Sequence, residues 1–122
     1  MSKRGLSMYY KGLYREAEPL LRRALAIDEQ SFGADHPNVA TALNNLAQLL
    51  QATSRLTEAE PLLRRVVEIL LTFTRATGHA HTHLRDAVMN YAGVLTQMGA
   101  RPAEASKRLQ LLGPEALAIL GR

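Results

Sequence analysis

The eight residues EAEPLLRR occur twice in this chain, at 16–23 and again at 58–65. The match extends to thirteen residues, because REAEPLLRRALAI at 15–27 aligns with TEAEPLLRRVVEI 42 residues further on. Internal repeats with a period of about 20–50 residues are typical of solenoids, in which neighbouring units stack into one continuous core. The repeat therefore predicts an array of similar structural units within a chain of 122 residues, which is one domain's length.

A second pair of segments repeats with a similar period. HPNVATALNNLAQLL at 36–50 aligns with HTHLRDAVMNYAGVL at 81–95, which lies 45 residues later. In this second pair the apolar residues recur at steps of 4, 3, 1 and 3, which trace one stripe of an α-helix, and the first pair has a similar stripe. The stripes are Val39, Leu43, Leu46, Ala47, Leu50 with Leu84, Val88, Tyr91, Ala92, Leu95, and Ala17, Leu20, Leu21, Ala24, Leu25 with Ala59, Leu62, Leu63, Val66, Val67. Two kinds of amphipathic helix, A and B, therefore alternate along the chain.

Ala, Leu, Arg, Glu and Gln dominate the composition, and these good helix formers favour an all-α protein. Glycines at predicted helix ends (Gly12, Gly33, Gly78, Gly99, Gly113) and prolines at predicted starts (Pro37, Pro102, Pro114) divide the chain. The predicted helices are A1 Lys3–Lys11, B1 Tyr14–Ser31, A2 His36–Ala52, B2 Leu56–Thr77, A3 Thr82–Met98, B3 Pro102–Leu112 and a short helix Pro114–Leu120.

Two details bear on where the B helices begin. TEAE at 57–60 has the spacing of a capping box, which predicts the start of B2. Pro19 and Pro61 then fall about four residues into their helices, where at most one backbone hydrogen bond is lost. On this interpretation the proline of the repeated motif marks the beginning of each B helix.

The segment GLYREAEPLLRRALAIDEQSFGADHPNVATALNNLAQLL, at 12–50, resembles the 42-residue tetratricopeptide repeat of the kind found in kinesin light chain. The shared pattern is Leu-Ala in helix A, a short turn, E-A-E-P-L-x-x-R-A-L-x-I in helix B, and a G-x-x-H-P linker. The resemblance implies antiparallel helix-turn-helix units in a right-handed α-solenoid. It covers nearly the whole chain.

The chain departs from the family pattern at both ends. The first helix A is short, and the third unit replaces the motif with EASKRLQLL. We therefore expect a single domain of about two and a half repeats, with repeat 1 at about 1–35, repeat 2 at 36–80, and repeat 3 with a capping helix, EALAIL, at 81–122. Since solenoid units bury their apolar faces on neighbours, the weak N-terminal end predicts a homodimer through Leu6, Tyr9 and Tyr10.

The resemblance implies that a peptide or protein partner binds in the concave groove lined by the A helices. Residues off the apolar stripes of these helices are the candidates to contact it: Asn44, Asn45, Gln48 and Gln51 on A2, and Asp86, Met89, Asn90 and Gln97 on A3, with Thr41 and Gly93 beside them. In the family, an Asn at the position shared by Asn45 and Asn90 often bonds the backbone of a bound peptide. An amide suits this role because it offers a donor and an acceptor together. No lysines accompany these asparagines, so a clamp for two carboxylates is not expected.

Other functions are weighed against simpler explanations. His79, His81 and His83 alternate and could chelate a metal if the segment is extended, but His81 aligns with His36 of an ordinary linker, so a solvated loop is expected. The net charge of +4 would allow nucleic-acid binding through arginines such as Arg22 and Arg64. Glu18 and Glu60 lie four residues before them, so the helix surface is expected to compensate its own charge. A self-assembly unit, or a fragment of a longer repeat protein with an empty groove, is the alternative to peptide binding.

Catalytic and cofactor motifs are missing from the sequence, which has no phosphate loop and no nucleophile motif. We expect neither an enzyme nor a cofactor-binding or metal-binding protein. With no cysteine, the sequence predicts no disulfide. No apolar run approaches the length of a membrane span, and the basic N-terminus lacks the apolar region of a secretory signal, so a cytoplasmic location is expected.

Overall fold

The computed structural model describes the backbone of residues 3–120 and the side chains of residues 12–119. Its elements are α1 (Lys3–Phe32), α2 (Pro37–Ala52), α3 (Leu56–Thr77), α4 (Leu84–Gln97), α5 (Pro102–Leu112) and α6 (Pro114–Leu120). Within residues 3–120 no strand is present. The prediction of an all-α helical repeat is confirmed.

Two helical hairpins form the centre of the fold. The turn between α2 and α3 contains Ser54 with φ 61°, and the turn between α4 and α5 contains Gly99 with φ 96°. These left-handed residues reverse the chain within three or four residues. Helix α3 packs against both α2 and α4, so the hairpins stack as consecutive repeat units.

The core follows the predicted stripes of the A helices and of α3. Every predicted stripe residue of α2 and α4 is buried except Ala92, which is partly buried. Tyr91 is the largest side chain among the fully buried ones. Helix α6 covers the C-terminal end by packing against α4 and α5, with Ala116 buried in the common core. The predicted capping helix is therefore in place.

The predicted break between A1 and B1 is wrong, because Lys3–Lys11 and Tyr14–Ser31 belong to one continuous helix of 30 residues, α1. The two hairpin turns each contain a residue with positive φ, but Gly12 is helical. A glycine inside a helix costs only about 0.5–1 kcal/mol relative to Ala, so it does not by itself reverse the chain. Pro19 consequently lies near the middle of α1 and does not mark a helix start.

Two predicted caps are also corrected. Helix α3 begins at Leu56 with Arg55 as its N-cap, so Thr57 is already helical and forms no capping box. Arg55 instead bonds the carboxylate of Glu58, from Nε at 2.6 Å and from Nη2 at 3.0 Å. Gly113 has φ 163° and ψ 149°, which is extended backbone and not the left-handed conformation found at Gly33, Gly78 and Gly99.

The second glutamate of each motif interacts with a side chain of its own helix and with a side chain of the next hairpin. Glu18 accepts a hydrogen bond from Arg22 at 3.0 Å and another from Arg55 in the turn between α2 and α3. Glu60 accepts a 3.1 Å bond from the Tyr91 hydroxyl on α4. It also lies 3.9 Å from a guanidinium nitrogen of both Arg64 and Arg108. The predicted compensation of charge within the helix is present, and the same glutamates also connect consecutive units.

The linkers that follow α1 and α3 use an aligned histidine in the same way. His36 Nδ1 accepts from the backbone N–H of Asn38 at 3.0 Å, and His81 Nδ1 accepts from that of His83 at 3.1 Å. Each ring also contacts a phenylalanine at the end of the preceding helix. The centroids are 4.8 Å apart for Phe32 and His36, and 4.9 Å apart for Phe73 and His81. The alignment of His36 with His81 therefore marks a structural contact.

Candidate functional site

A cavity of about 440 Å³ lies between the two A helices, α2 and α4, with α3 beneath it. Helix α2 contributes residues at steps of 3, 1, 3 and 4, which share one face: Pro37, Ala40, Thr41, Asn44 and Gln48. Val66 and Leu70 of α3 form the apolar floor. The opposite wall consists of His81, His83, Asp86, Ala87, Met89 and Asn90. The cavity is thus a groove between equivalent helices of consecutive units.

Asn44, which lines this groove, carries an unsatisfied group. Its Oδ1 atom is buried and has no hydrogen-bond partner within the described part of the protein. A buried acceptor without a donor costs about 1–3 kcal/mol relative to a paired one. Because this oxygen is closed off from the groove, a donor on a bound segment reaches it only when the Asn44 amide turns toward the cavity.

The structure brings together five of the eight predicted groove residues. Asn44, Gln48, Asp86, Met89 and Asn90 all line the cavity, whereas Asn45, Gln51 and Gln97 do not. Asn45 lies outside the cavity because its side of α2 does not face α4. Asn90 faces α2 across the groove, so the equivalent surface of α2, which carries Asn45, is turned away from α4. A groove beside Asn45 would need a further helix A on the other side of α2.

Sequence reasoning missed the histidines at one end of the groove. His81 and His83 line the cavity, and their ring centroids are 5.5 Å apart. Burial lowers the pKa of His81 below its ordinary value of 6.5, and the neighbouring His83 lowers it further. The sequence did contain a signal for this placement. His81 and His83 lie in the linker just before a helix A, and the first turn of such a helix faces the groove.

The groove carries a small negative charge. Asp86 is the single carboxylate among the lining residues, and no lysine or arginine lines the cavity in the described part of the chain. Amide groups of Asn44, Gln48 and Asn90 and the exposed thioether of Met89 supply most of the remaining surface. The groove is therefore suited to neutral or basic segments, and it offers no positive charge to a carboxylate.

The described residues contain no group of three or more His, Cys, Asp or Glu side chains placed to hold a metal ion. His79 hydrogen-bonds through its backbone to the Thr77 hydroxyl, at 3.2 Å from its N–H and 3.1 Å from its carbonyl oxygen. The backbone N–H of His83 donates to the ring of His81, as described above. These contacts organise the linker that brings His81 and His83 to the groove.

The predicted self-association residues Leu6, Tyr9 and Tyr10 lie outside the residues whose side chains the structure describes. Next to them, the described part of α1 presents exposed apolar side chains at Leu13, Leu20 and Ile27.

Stacked antiparallel helical hairpins with a groove between equivalent helices define an α-helical repeat protein. A family model described as tetratricopeptide repeat matches residues 1–72, which is more than half of the chain. The chain belongs to the tetratricopeptide repeat family. The match covers α1, α2 and most of α3, and the hairpin of α4 and α5 continues the array beyond it. A comparison with the curated proteins gives no match.

Membership of this family indicates a role in protein–protein interaction or as a repeat scaffold. The family is generally non-enzymatic. Among residues 3–120, no helix has the length and apolar character needed to cross a membrane.

Proposed function

We propose that this protein binds an extended segment of a partner protein in the groove between α2 and α4. The observation that carries the proposal is the cavity of about 440 Å³ between these equivalent helices, which the side-chain amide of Asn44 lines on the α2 side. An extended peptide presents backbone N–H and C=O groups that can hydrogen-bond such an amide. Asn90 on the opposite wall offers a second amide to the same backbone.

The groove also restricts the side chains of the partner. Val66 and Leu70 on the floor accept an apolar side chain, since both are buried and face the cavity. Asp86 favours a lysine or arginine nearby. We therefore propose a neutral or basic segment with at least one apolar residue, bound in the cytoplasm. Together with the 42-residue period, the motif E-A-E-P-L and the linker G-x-x-H-P support a kinesin-light-chain-like subtype.

Alanine substitutions on either side of the groove boundary test the proposal. The variant Asn44→Ala with Asn90→Ala removes two amides from the cavity, and the control Asn45→Ala with Gln97→Ala removes two amides outside it. Both variants and the parent are compared by pull-down with mass spectrometry and by selection from a phage-displayed library of linear peptides. We expect the groove variant to lose at least about tenfold in affinity for the captured segments, about 1.4 kcal/mol, and the control to keep it.

Retention of every partner and peptide by the groove variant would contradict the proposal. Equal loss in both double variants would also contradict it, because the amides outside the cavity would then matter as much as those inside. Circular dichroism of each variant shows whether the helices are intact before binding is compared.

Self-association is the second candidate function, and the exposed apolar residues of α1 favour it. In its first form, this proposal uses Leu6, Tyr9 and Tyr10 to form a homodimer. The described part of α1 supports a more specific arrangement.

A further inference from the structure

Helix α1 carries an exposed apolar stripe with the spacing of a coiled-coil seam. Leu13, Leu20 and Ile27 recur every seven residues and are 41%, 67% and 53% exposed. Ala24, which is exposed, and Ala17, which is partly buried against the core, lie between them at alternating steps of four and three residues. Steps of four and three along one helix face are typical of two helices that pack along their length. We refer to these five residues as the α1 seam.

The equivalent surface of α3 is covered within the protein. Leu62 and Ile69 correspond to Leu20 and Ile27, 42 residues earlier. Ile69 is only 2% exposed, and Leu62 packs against the core. Helix α3 has two major neighbours, α2 and α4, whereas the main contact of α1 is with α2. The α1 seam is thus a surface that a repeat unit buries when a second helix lies beside it.

Charged residues beside the seam indicate which partner fits. Glu16 and Arg23 flank it seven residues apart, and both are exposed. Neither makes an ion pair with any side chain that the structure describes, whereas their neighbours Glu18 and Arg22 are paired with each other at 3.0 Å. In a parallel pair of α1 helices, Glu16 of one copy and Arg23 of the other would not meet, because equivalent flanking positions lie on opposite sides of the interface. An antiparallel pair places Glu16 of each copy beside Arg23 of the other.

We infer that the α1 seam binds a second copy of this chain, through an antiparallel pair of α1 helices related by a two-fold axis near Pro19. In this register each leucine of the seam meets an alanine of the second copy, with Leu20 against Ala17 and Leu13 against Ala24. Large residues packed against small ones allow close approach of the two helices. Two Glu16–Arg23 pairs then form symmetrically, as a two-fold interface requires.

The first test measures the oligomeric state of the full chain by analytical ultracentrifugation over micromolar concentrations. We expect a dimer, and we expect Leu20→Glu to weaken it by at least about a hundredfold, since a carboxylate would enter the seam. Leu111→Glu is the matched control, because Leu111 is a 78% exposed leucine on α5. A parent protein that is monomeric at every concentration would overturn the inference, and so would equal effects of the two variants.

Charge reversal tests the antiparallel register. Glu16→Arg and Arg23→Glu should each weaken the dimer by about tenfold or more, because each creates two like-charge contacts. The double variant restores opposite charges and should return to within about threefold of the parent. If the dimer of the double variant were weakened by the two single effects combined, the Glu16–Arg23 pairs would be excluded and the register overturned.

Cysteine crosslinking provides an independent readout, since the natural chain contains no cysteine. In the antiparallel pair, Leu20→Cys places the two thiols beside the axis, so a short bismaleimide should link them. Leu13→Cys places them roughly 15–20 Å apart along the helices at 1.5 Å per residue, so it should not crosslink. Efficient crosslinking through Leu13→Cys would indicate parallel helices and overturn the inference.

Discussion

The two copies of the EAEPLLRR motif share every residue, yet the first lies on an edge helix and the second in the centre of the array. Ile69, just after the second copy, is 2% exposed, whereas Ile27, just after the first, is 53% exposed. The difference follows from neighbours, because α3 packs between α2 and α4 while α1 packs mainly on α2. The motif therefore specifies a helix with two faces that can pack, and the number of adjacent helices decides how many of them are buried.

The largest expected contrast is between Ile69→Ala and Ile27→Ala. Ile69→Ala should lower the free energy of unfolding by about 2–5 kcal/mol, because it leaves a cavity in the core. Ile27→Ala should change it by about 0.5 kcal/mol or less in dilute solution, where α1 is solvated. Urea unfolding followed by circular dichroism measures both. Similar losses for the two variants would show that the edge and central helices are equally covered.

The next contrast concerns the second glutamate of each copy. Tyr91→Phe removes the hydroxyl that bonds Glu60 and should cost about 0.5–1.5 kcal/mol. Burial raises the pKa of Tyr91 to about 12, and the nearby Glu60 contributes to the shift. Arg55→Met removes one of the two arginine partners of Glu18 and should cost less than Tyr91→Phe, since this ion pair is partly solvated. Thermal unfolding at low and high salt distinguishes the effects of the two substitutions, because only the effect of Arg55→Met should shrink with added salt.

Acid should weaken the ion pairs that Arg55 makes with both copies, through Glu18 of the first and Glu58 of the second. The hydrogen bond from Arg55 holds the pKa of Glu18, and likewise that of Glu58, below the ordinary value of 4.5. A lowered folded-state pKa gives stability that is present above pH 4.5 and lost as the pH falls through the folded-state value. We expect the midpoint of urea unfolding to fall in this window, and to fall less in Arg55→Met. An unchanged acid dependence in that variant would contradict the assignment.

The smallest expected effect lies in the linker that follows the second copy. Burial lowers the pKa of His81 below 6.5, so its folded form binds a proton less readily than its unfolded form. Stability linked to His81 is therefore present above pH 6.5 and lost as the pH falls below it. His81→Asn should flatten the dependence of the thermal midpoint on pH in that range. His79→Asn is the control, since His79 is exposed.

Local sequence patterns were sufficient to predict most of the helices. Helices α3, α5 and α6 have the predicted bounds, and Pro37, Pro102 and Pro114 begin helices as expected. These features depend on residues close in sequence, because apolar spacing and proline geometry act within one or two helical turns. The break at Gly12 was wrong for a related reason, since a glycine permits a turn but does not require one.

The residues that line the groove could be predicted from the sequence only in part. The sequence identified Asn44 and Asn90 as lying off the apolar stripes, and both line the cavity. It could not exclude Asn45, because that residue has the same local pattern as Asn90 and differs only in having no helix A beside it. It also missed Val66 and Leu70 as the floor of the groove, since burial in a core and exposure to a cavity give the same apolar periodicity.

The sequence by itself determined the class of the protein, because a 42-residue repeat of amphipathic helices can bury its apolar stripes only by stacking units. Tertiary structure alone decided which of two identical motifs is buried on both faces and which on one. It also decided that the Asn44 acceptor would be buried without a donor. Both outcomes depend on which helices lie side by side, and that arrangement is a property of the assembled array, which no single segment encodes.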